Sequence, residues 1–262
     1  MSSHDALIGV ERVGGVATLT LARPERLNAF SSALVAALAA AVDDVAADPT
    51  VRAIVVAGQG RVFCAGADIA EMDGFAGPAD FHRFIGALSG TFDALARCSK
   101  PSVAAVHGAA LGGGLELALA CDLRVVEEGT RLGLPEITLG VLPGAAGTAR
   151  LPRLLPTAVA KQLLLTGEPL SADEAYRLGL INQVVATGEA VAAAGRLAAR
   201  LAALAPLALA AAKRLVDTGS AVPLDVAIGY ERETVSMLFG TADRVEGMRA
   251  FLEKRPPSFT GR

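Results

Sequence analysis

Two carboxylates stand out for the company they keep. Glu116 lies in Leu115-Glu116-Leu117-Ala118, and Glu136 follows 20 residues later in Leu134-Pro135-Glu136-Ile137. A carboxylate among apolar neighbours is either a half-buried structural charge or a group whose pKa burial has raised. Their spacing does not by itself bring them together. In a shared apolar pocket, one would hold its proton while the other stayed ionised, because like charges at close range disfavour double ionisation. Such a pair titrates as a unit, and it can deliver a proton while activating a water.

Just before Glu116 runs Gly108-Ala109-Ala110-Leu111-Gly112-Gly113-Gly114, which links a predicted strand to a predicted helix. Glycine at a helix start does not serve stability, since each costs about 1 kcal/mol against Ala. It does allow close backbone approach. A helix N-terminus carries unpaired N–H groups and a partial positive charge, which suits a developing oxyanion. A tight strand–helix crossover is the plainer alternative. A second unusual segment, Phe63-Cys64-Ala65-Gly66-Ala67-Asp68-Ile69, sits just past another predicted strand.

Other chemistries fit less well. Gly58-Gln59-Gly60 lacks the third glycine of a dinucleotide fingerprint, and no G-x-S-x-G elbow occurs. His4, His82 and His107 have no metal-ligand spacing, although His107 ends a strand beside Gly108 and could line a site. Cys64 reads as a small packed residue, because no histidine partner for a thiolate is evident.

These residues need elements to position them. Val16 to Leu21 reads as a strand, followed after Pro24 by a helix over Ser31 to Ala47 with Leu34, Leu38, Val42 and Val45 on one face. Pro49 marks its stop. Strands are expected over Val51–Ala57, Val103–Val106 and Leu123–Val126, with a helix over Gly113–Ala120 between the last two. This alternation argues for an α/β layered fold. Gly74 to Pro78 reads as a loop. Ser171-Ala172-Asp173-Glu174 is a capping box, with Gly179 at the expected helix end and Ile181–Val185 as the last strand. From Gly188 the pattern is helical, with a break at Pro206, then helices over Leu224–Leu238 and Asp243–Arg255 that put Val245, Met248 and Leu252 on one face. The division expected is 1–200 for the mixed core and 201–262 for a helical assembly region.

Composition narrows the partners. At 262 residues and 52% hydrophobic, the chain can bury a sizeable core. The net charge of −3 and the lack of a basic stripe argue against nucleic acid, and 4% aromatics against base stacking. The longest charge-free run, Leu27 to Val42, has 16 residues, short of the roughly 20 a bilayer span needs, so no membrane partner is expected. Three cysteines without C-x-x-C spacing and an N-terminus without a secretory pattern point to a reducing, cytoplasmic setting and to no structural metal.

Taken together, several motifs resemble the crotonase family, also called the enoyl-CoA hydratase/isomerase family. They are Arg23-Pro24-Glu25-Arg26-Leu27-Asn28-Ala29, the Cys64–Ile69 loop, Gly112–Glu116, Leu134-Pro135-Glu136 with Gly140-Val141-Leu142-Pro143-Gly144, and Phe251-Leu252-Glu253-Lys254-Arg255. The resemblance runs over essentially the whole chain. It implies a spiral of β-β-α turns followed by a helical trimerisation region, giving a homotrimer or a dimer of trimers. It implies an oxyanion hole from the backbone N–H groups of Ala67 and Gly113, and CoA contacts at Arg26, Ala65, Ala67, Asp68 and Ile69. Lys254 corresponds to a lysine that reaches CoA from a neighbouring subunit. With both family carboxylates present, the chain looks like a hydratase, Glu116 taking a proton from water and Glu136 giving one to the α-carbon. CoA enters only as part of the acyl-CoA thioester; no metal or redox cofactor is implied. An isomerase, a specialised (for example carnitinyl-type) dehydratase and a catalytically idle assembly member are the alternatives. Ala70, where a lysine is common, and Val235, where some members place an aromatic, depart from the pattern and weaken the expected CoA contacts there.

Overall fold

A computed structural model describes residues 7–262. The chain opens with an antiparallel hairpin of β1 (Ile8–Val13) and β2 (Val16–Leu21). Helix α1 (Ser32–Ala47) follows, capped by the Ser31 hydroxyl, which accepts the Leu34 N–H. Leu34, Leu38, Val42 and Val45 are buried as their spacing predicts; complete burial of each such side chain contributes roughly 1.5–3 kcal/mol. Strand β3 (Ala53–Gly58) begins two residues later than expected, because Arg52 and Ala53 both donate to the Gly15 carbonyl at the end of the hairpin.

After β3 come a short helix α2 (Ile69–Asp73) and a long helix α3 (Pro78–Arg97). No helix is predicted over α3 from the sequence; Gly74–Gly77 is the link between the two helices. Strand β4 (Ser102–Val106) joins the main sheet and β5 (Ala109–Leu111) leaves it for a second, smaller one. Helix α4 (Gly113–Ala120) then returns the chain to β6 (Leu123–Glu127) in the main sheet and β7 (Arg131–Gly133) in the small one. This strand–strand–helix advance is the spiral expected, and parallel bridges Phe30–Ala67 and Cys64–Ala110 extend the same pattern to earlier turns.

A 3₁₀ turn at Pro135–Leu139 leads to α5 (Gly147–Leu154) and α6 (Thr157–Thr166), two further helices unassigned in the sequence. Strand β8 (Leu170–Ser171) runs antiparallel to β7. Helix α7 (Ala172–Arg177) carries the predicted capping box, and Gly179 takes φ +80° just past its end. Strand β9 (Gln183–Val185) completes a six-stranded sheet in the order β1-β2-β3-β4-β6-β9, parallel from β2 onward.

Helix α8 (Ala190–Ala202) covers one sheet face, where Ala190, Ala194, Ala198 and Ala202 meet Ala53, Val55, Val103, Ala105 and Val125. The opposite face packs on the main core. Burial on both faces explains why β3 and β4 read as apolar runs. The boundary drawn at residue 200 falls inside α8. The helical stretch breaks ahead of Pro206, as expected, and Pro206 opens α9 (Pro206–Gly219) at its first turn. Helices α10 (Leu224–Leu238) and α11 (Ala242–Glu253) follow. Among the described residues no single helix is long and apolar enough to cross a membrane; α8 and α9 pass that test only as a pair, bent by 110°.

Candidate active site

The glycines of the β5–α4 turn have specific reasons to be glycine. Gly112 takes φ +51°, and a Cβ there would stand 2.8 Å from a Glu136 carboxylate oxygen. A Cβ on Gly114 would meet the Cys64 carbonyl oxygen at 2.3 Å. Helix α4 therefore lies directly against the Cys64–Ala67 loop, with all eight of its residues buried. That explains a helix apolar on every side apart from Glu116.

The loop opposite is fixed from two directions. Phe30 N–H donates to Gly66 O and Asp68 N–H to Phe30 O, at 2.8 and 2.9 Å. Alternation along this bridged stretch turns the Ala67 N–H away from Phe30. Among the described residues, neither Ala67 N–H nor Gly113 N–H donates to any acceptor. The two amides are close neighbours: a Cβ on Gly113 would lie 3.8 Å from Ala67 N. Two unpaired donors at a helix N-terminus are the equipment of an oxyanion hole.

The Arg23–Ala29 motif proves to be the loop's anchor. Asn28, fully buried at φ +56°, donates to the carbonyls of Gln59, Val62 and Phe63 and accepts from Arg23 N–H. Arg23 in turn pairs with Asp68 at 2.6 Å. The Arg23 hydrogen bond holds the Asp68 carboxyl below its usual range. Asp68 also caps α2 through Ala70 and Glu71 N–H. Sequence reasoning singled out Arg26 and missed Arg23 and Asn28.

Glu116 and Glu136 line one cavity of about 80 Å³. Glu116 is 2% exposed, and one of its oxygens accepts the N–H groups of Ala145 (2.8 Å) and Gly147 (2.7 Å). Burial raises its pKa, while those two donors and the Arg150 guanidinium oppose the rise. Arg150 ties the same loop to α3: it donates to Ala145 O and pairs with Asp93 at 2.5 Å. Glu136 is held differently. Its Oε2 is buried without a hydrogen-bond partner among the described residues. Burial, with a further push from Glu116, raises its pKa to about 7. The environments thus divide the pair: donors favour ionised Glu116, and a bare pocket favours protonated Glu136. Ala145 and Gly147 were missed in the sequence; the only signal was the Gly-rich Gly144–Gly147 turn.

Among the expected CoA contacts, Ala65, Ala67 and Ile69 line the same cavity. Asp68 faces Arg23 instead, and its backbone N–H and C=O are already used by Phe30 and Met72. Arg26 is exposed on the 3₁₀ turn Pro24–Arg26. Lys254 caps the end of α11 at φ +55°, is exposed, and is not among the residues that line the cavity. His107 lies outside the lining; its Nε2 is 3.0 Å from Gly60 O. Cys64 is fully buried, its thiol pushed up to about 12 by burial, as befits a packed residue.

The fold brings two carboxylates in unequal environments and a pair of free amide donors to the lining of one cavity. Residues 11–262 match the family model for enoyl-CoA hydratase/isomerase, and the chain belongs to that family. It is 39% identical over 252 residues to the crotonyl-CoA hydratase of Syntrophomonas wolfei, covering 95% of this chain and 96% of that protein. It is 41% identical over 256 residues to the 2,3-dehydroadipyl-CoA hydratase of Escherichia coli, covering 97% and 98%. The crystal structure of enoyl-CoA hydratase from Bacillus anthracis superposes with a TM-score of 0.94 at 35% identity, covering 98% of this chain and 100% of that one.

Proposed function

We propose that this chain is an enoyl-CoA hydratase that adds water reversibly across the double bond of a 2-enoyl-CoA, giving the 3-hydroxyacyl-CoA. The unequal carboxylate pair beside two unpaired amides carries this reading. The thioester oxygen takes the Ala67 and Gly113 N–H groups, which stabilise the enolate as its charge develops. A water held between the carboxylates gives its proton to ionised Glu116 as its oxygen bonds the β-carbon. Protonated Glu136 gives its proton to the α-carbon. The β-carbon thereby gains the water's hydroxyl and the α-carbon the Glu136 proton, one whole water in sum, and return of the Glu116 proton to Glu136 closes the cycle. The step needs no metal or redox group, and CoA is only the carrier.

Ala65, Ala67 and Ile69 form the near wall for the CoA moiety, with Arg26 available to its phosphates. We also read the chain as a homotrimer or dimer of trimers, in which Lys254 reaches the CoA of a neighbouring subunit. The exposed Met237, Phe239, Phe251 and Leu252 of the C-terminal helices support assembly through that region. Reaction in D₂O tests the chemistry. A product bearing one deuterium at the α-carbon and a hydroxyl at the β-carbon is expected. A shifted double bond without a hydroxyl favours the isomerase alternative and overturns the hydratase.

A further inference from the structure

Helix α4 presents the Gly113 N–H at its start, and the carbonyls at its other end need donors. Cys121 leaves the helix in an extended conformation, φ −76° and ψ 152°, so no left-handed turn closes that end. Arg124, in β6, stands in for the missing cap. Its Nη1 donates to Ala118 O (3.2 Å) and Cys121 O (2.8 Å), and its Nε to Leu180 O (2.7 Å). We propose that Arg124 is a positioning residue for the oxyanion hole: its guanidinium seats the far end of α4 and adds a whole positive charge to the field that the helix presents at the Gly113 N–H. This rests on the hydratase reading. Arg124 acts through the helix and is not among the residues that line the cavity.

The charge is buried without a carboxylate of its own. Arg124 is 5% exposed, and among the described residues its side chain donates only to backbone carbonyls, Asp122 O at 3.5 Å included. The Asp122 carboxylate is engaged elsewhere: one oxygen accepts Ser102 N–H (2.7 Å), the Ser102 hydroxyl (2.9 Å) and Lys213 Nζ (2.9 Å). Its charge is thus balanced by Lys213. Cys121 is held neutral, burial pushing its thiol up to about 12. A neutral donor could satisfy the same carbonyls without desolvating a charge; a cation there also offsets the negative end of the helix dipole. All eight residues of α4 are buried, so the medium between its ends is protein and not water. The helix is about 12 Å long. Over about 12–15 Å, at an effective dielectric constant of about 20, one unit charge favours an enolate at the far end by about five- to tenfold.

Arg124→Lys, Arg124→Gln and Arg124→Met separate charge from packing. Lysine keeps the charge, glutamine keeps a donor without charge, and methionine keeps neither. With crotonyl-CoA, the Gln and Met variants should lose about five- to tenfold in kcat with KM within about twofold, because the charge on the thioester oxygen develops in the transition state. Lysine should restore most of the rate. The second readout is the enolate absorbance of bound acetoacetyl-CoA against pH. Its apparent pKa should rise by about one unit in the Gln and Met variants and stay near the wild-type value in the Lys variant. Equal losses in the Lys and Gln variants would reduce Arg124 to packing at a helix end and overturn the proposal. A Gln variant with wild-type kcat and wild-type enolate pKa also overturns it, and leaves the hydratase reading intact. If wild type hydrates no enoyl-CoA, yet the bound enolate follows the charge in this order, the role of Arg124 stands and the hydratase reading falls.

Discussion

Glu136→Gln should trade catalysis for stability in a pH-dependent way. In the unfolded chain a glutamate titrates near 4.5, and in the folded site Glu136 is raised to about 7. The folded state therefore binds this proton more tightly than the unfolded state. Stability from that proton is fully present below pH 4.5, is lost as pH rises towards 7, and changes little beyond. At 1.36 kcal/mol per pKa unit, the upper bound is about 3 kcal/mol. Glu136 keeps part of its surface in solvent, so screening reduces the expected effect to about 1–2 kcal/mol. Glutamine keeps the shape and cannot ionise. The wild-type-minus-variant difference in unfolding free energy should thus move by about 1–2 kcal/mol against wild type between pH 5 and pH 8.5. Urea unfolding at fixed protein concentration measures it, and any pH-independent cost of the amide cancels. A difference flat over that range would refute the claim that burial, with its unpaired Oε2, perturbs Glu136.

Other perturbations probe the supports of the site. Asn28→Ala removes four hydrogen bonds and strands buried backbone groups, so urea unfolding should show a loss of about 3 kcal/mol; a loss below 1 kcal/mol would mean that the loop is anchored elsewhere. Gly114→Ala forces a methyl against the Cys64 carbonyl, and should cost about 3 kcal/mol by the same measure; wild-type stability contradicts the close approach of helix and loop. Arg150→Gln removes a charge that lowers the Glu116 pKa, so the acidic limb of kcat against pH should move upward, with Arg150→Lys restoring part of it. An unmoved limb in the Gln variant would remove Arg150 from the account.

Much of this architecture was legible because local and global signals agreed. Val16–Leu21, Gly113–Ala120 and Leu224–Leu238 fall where composition and periodicity put them. Helix α3 is hard to read in the sequence because Gly86 and Gly90 lower its helix propensity and its start follows a Gly/Pro stretch; packing against α1 and the core overrides those weak propensities. The carboxylates were visible through their apolar neighbours. The donors that make them unequal were not, because Ala145 and Gly147 act through backbone N–H groups, which leave no side-chain signature. Asn28 was likewise visible only as part of a motif: its four partners come from residues brought together by the fold.

The central claim is that Glu116 and Glu136 work as one acid–base pair. Hydration of crotonyl-CoA by wild type, Glu116→Gln, Glu136→Gln and the double variant tests it most directly. Each single change should lower kcat by about 10² to 10⁴-fold, and the double variant should fall little further than the worse single, because one water needs both groups. A wild-type rate in either single variant would contradict the pair.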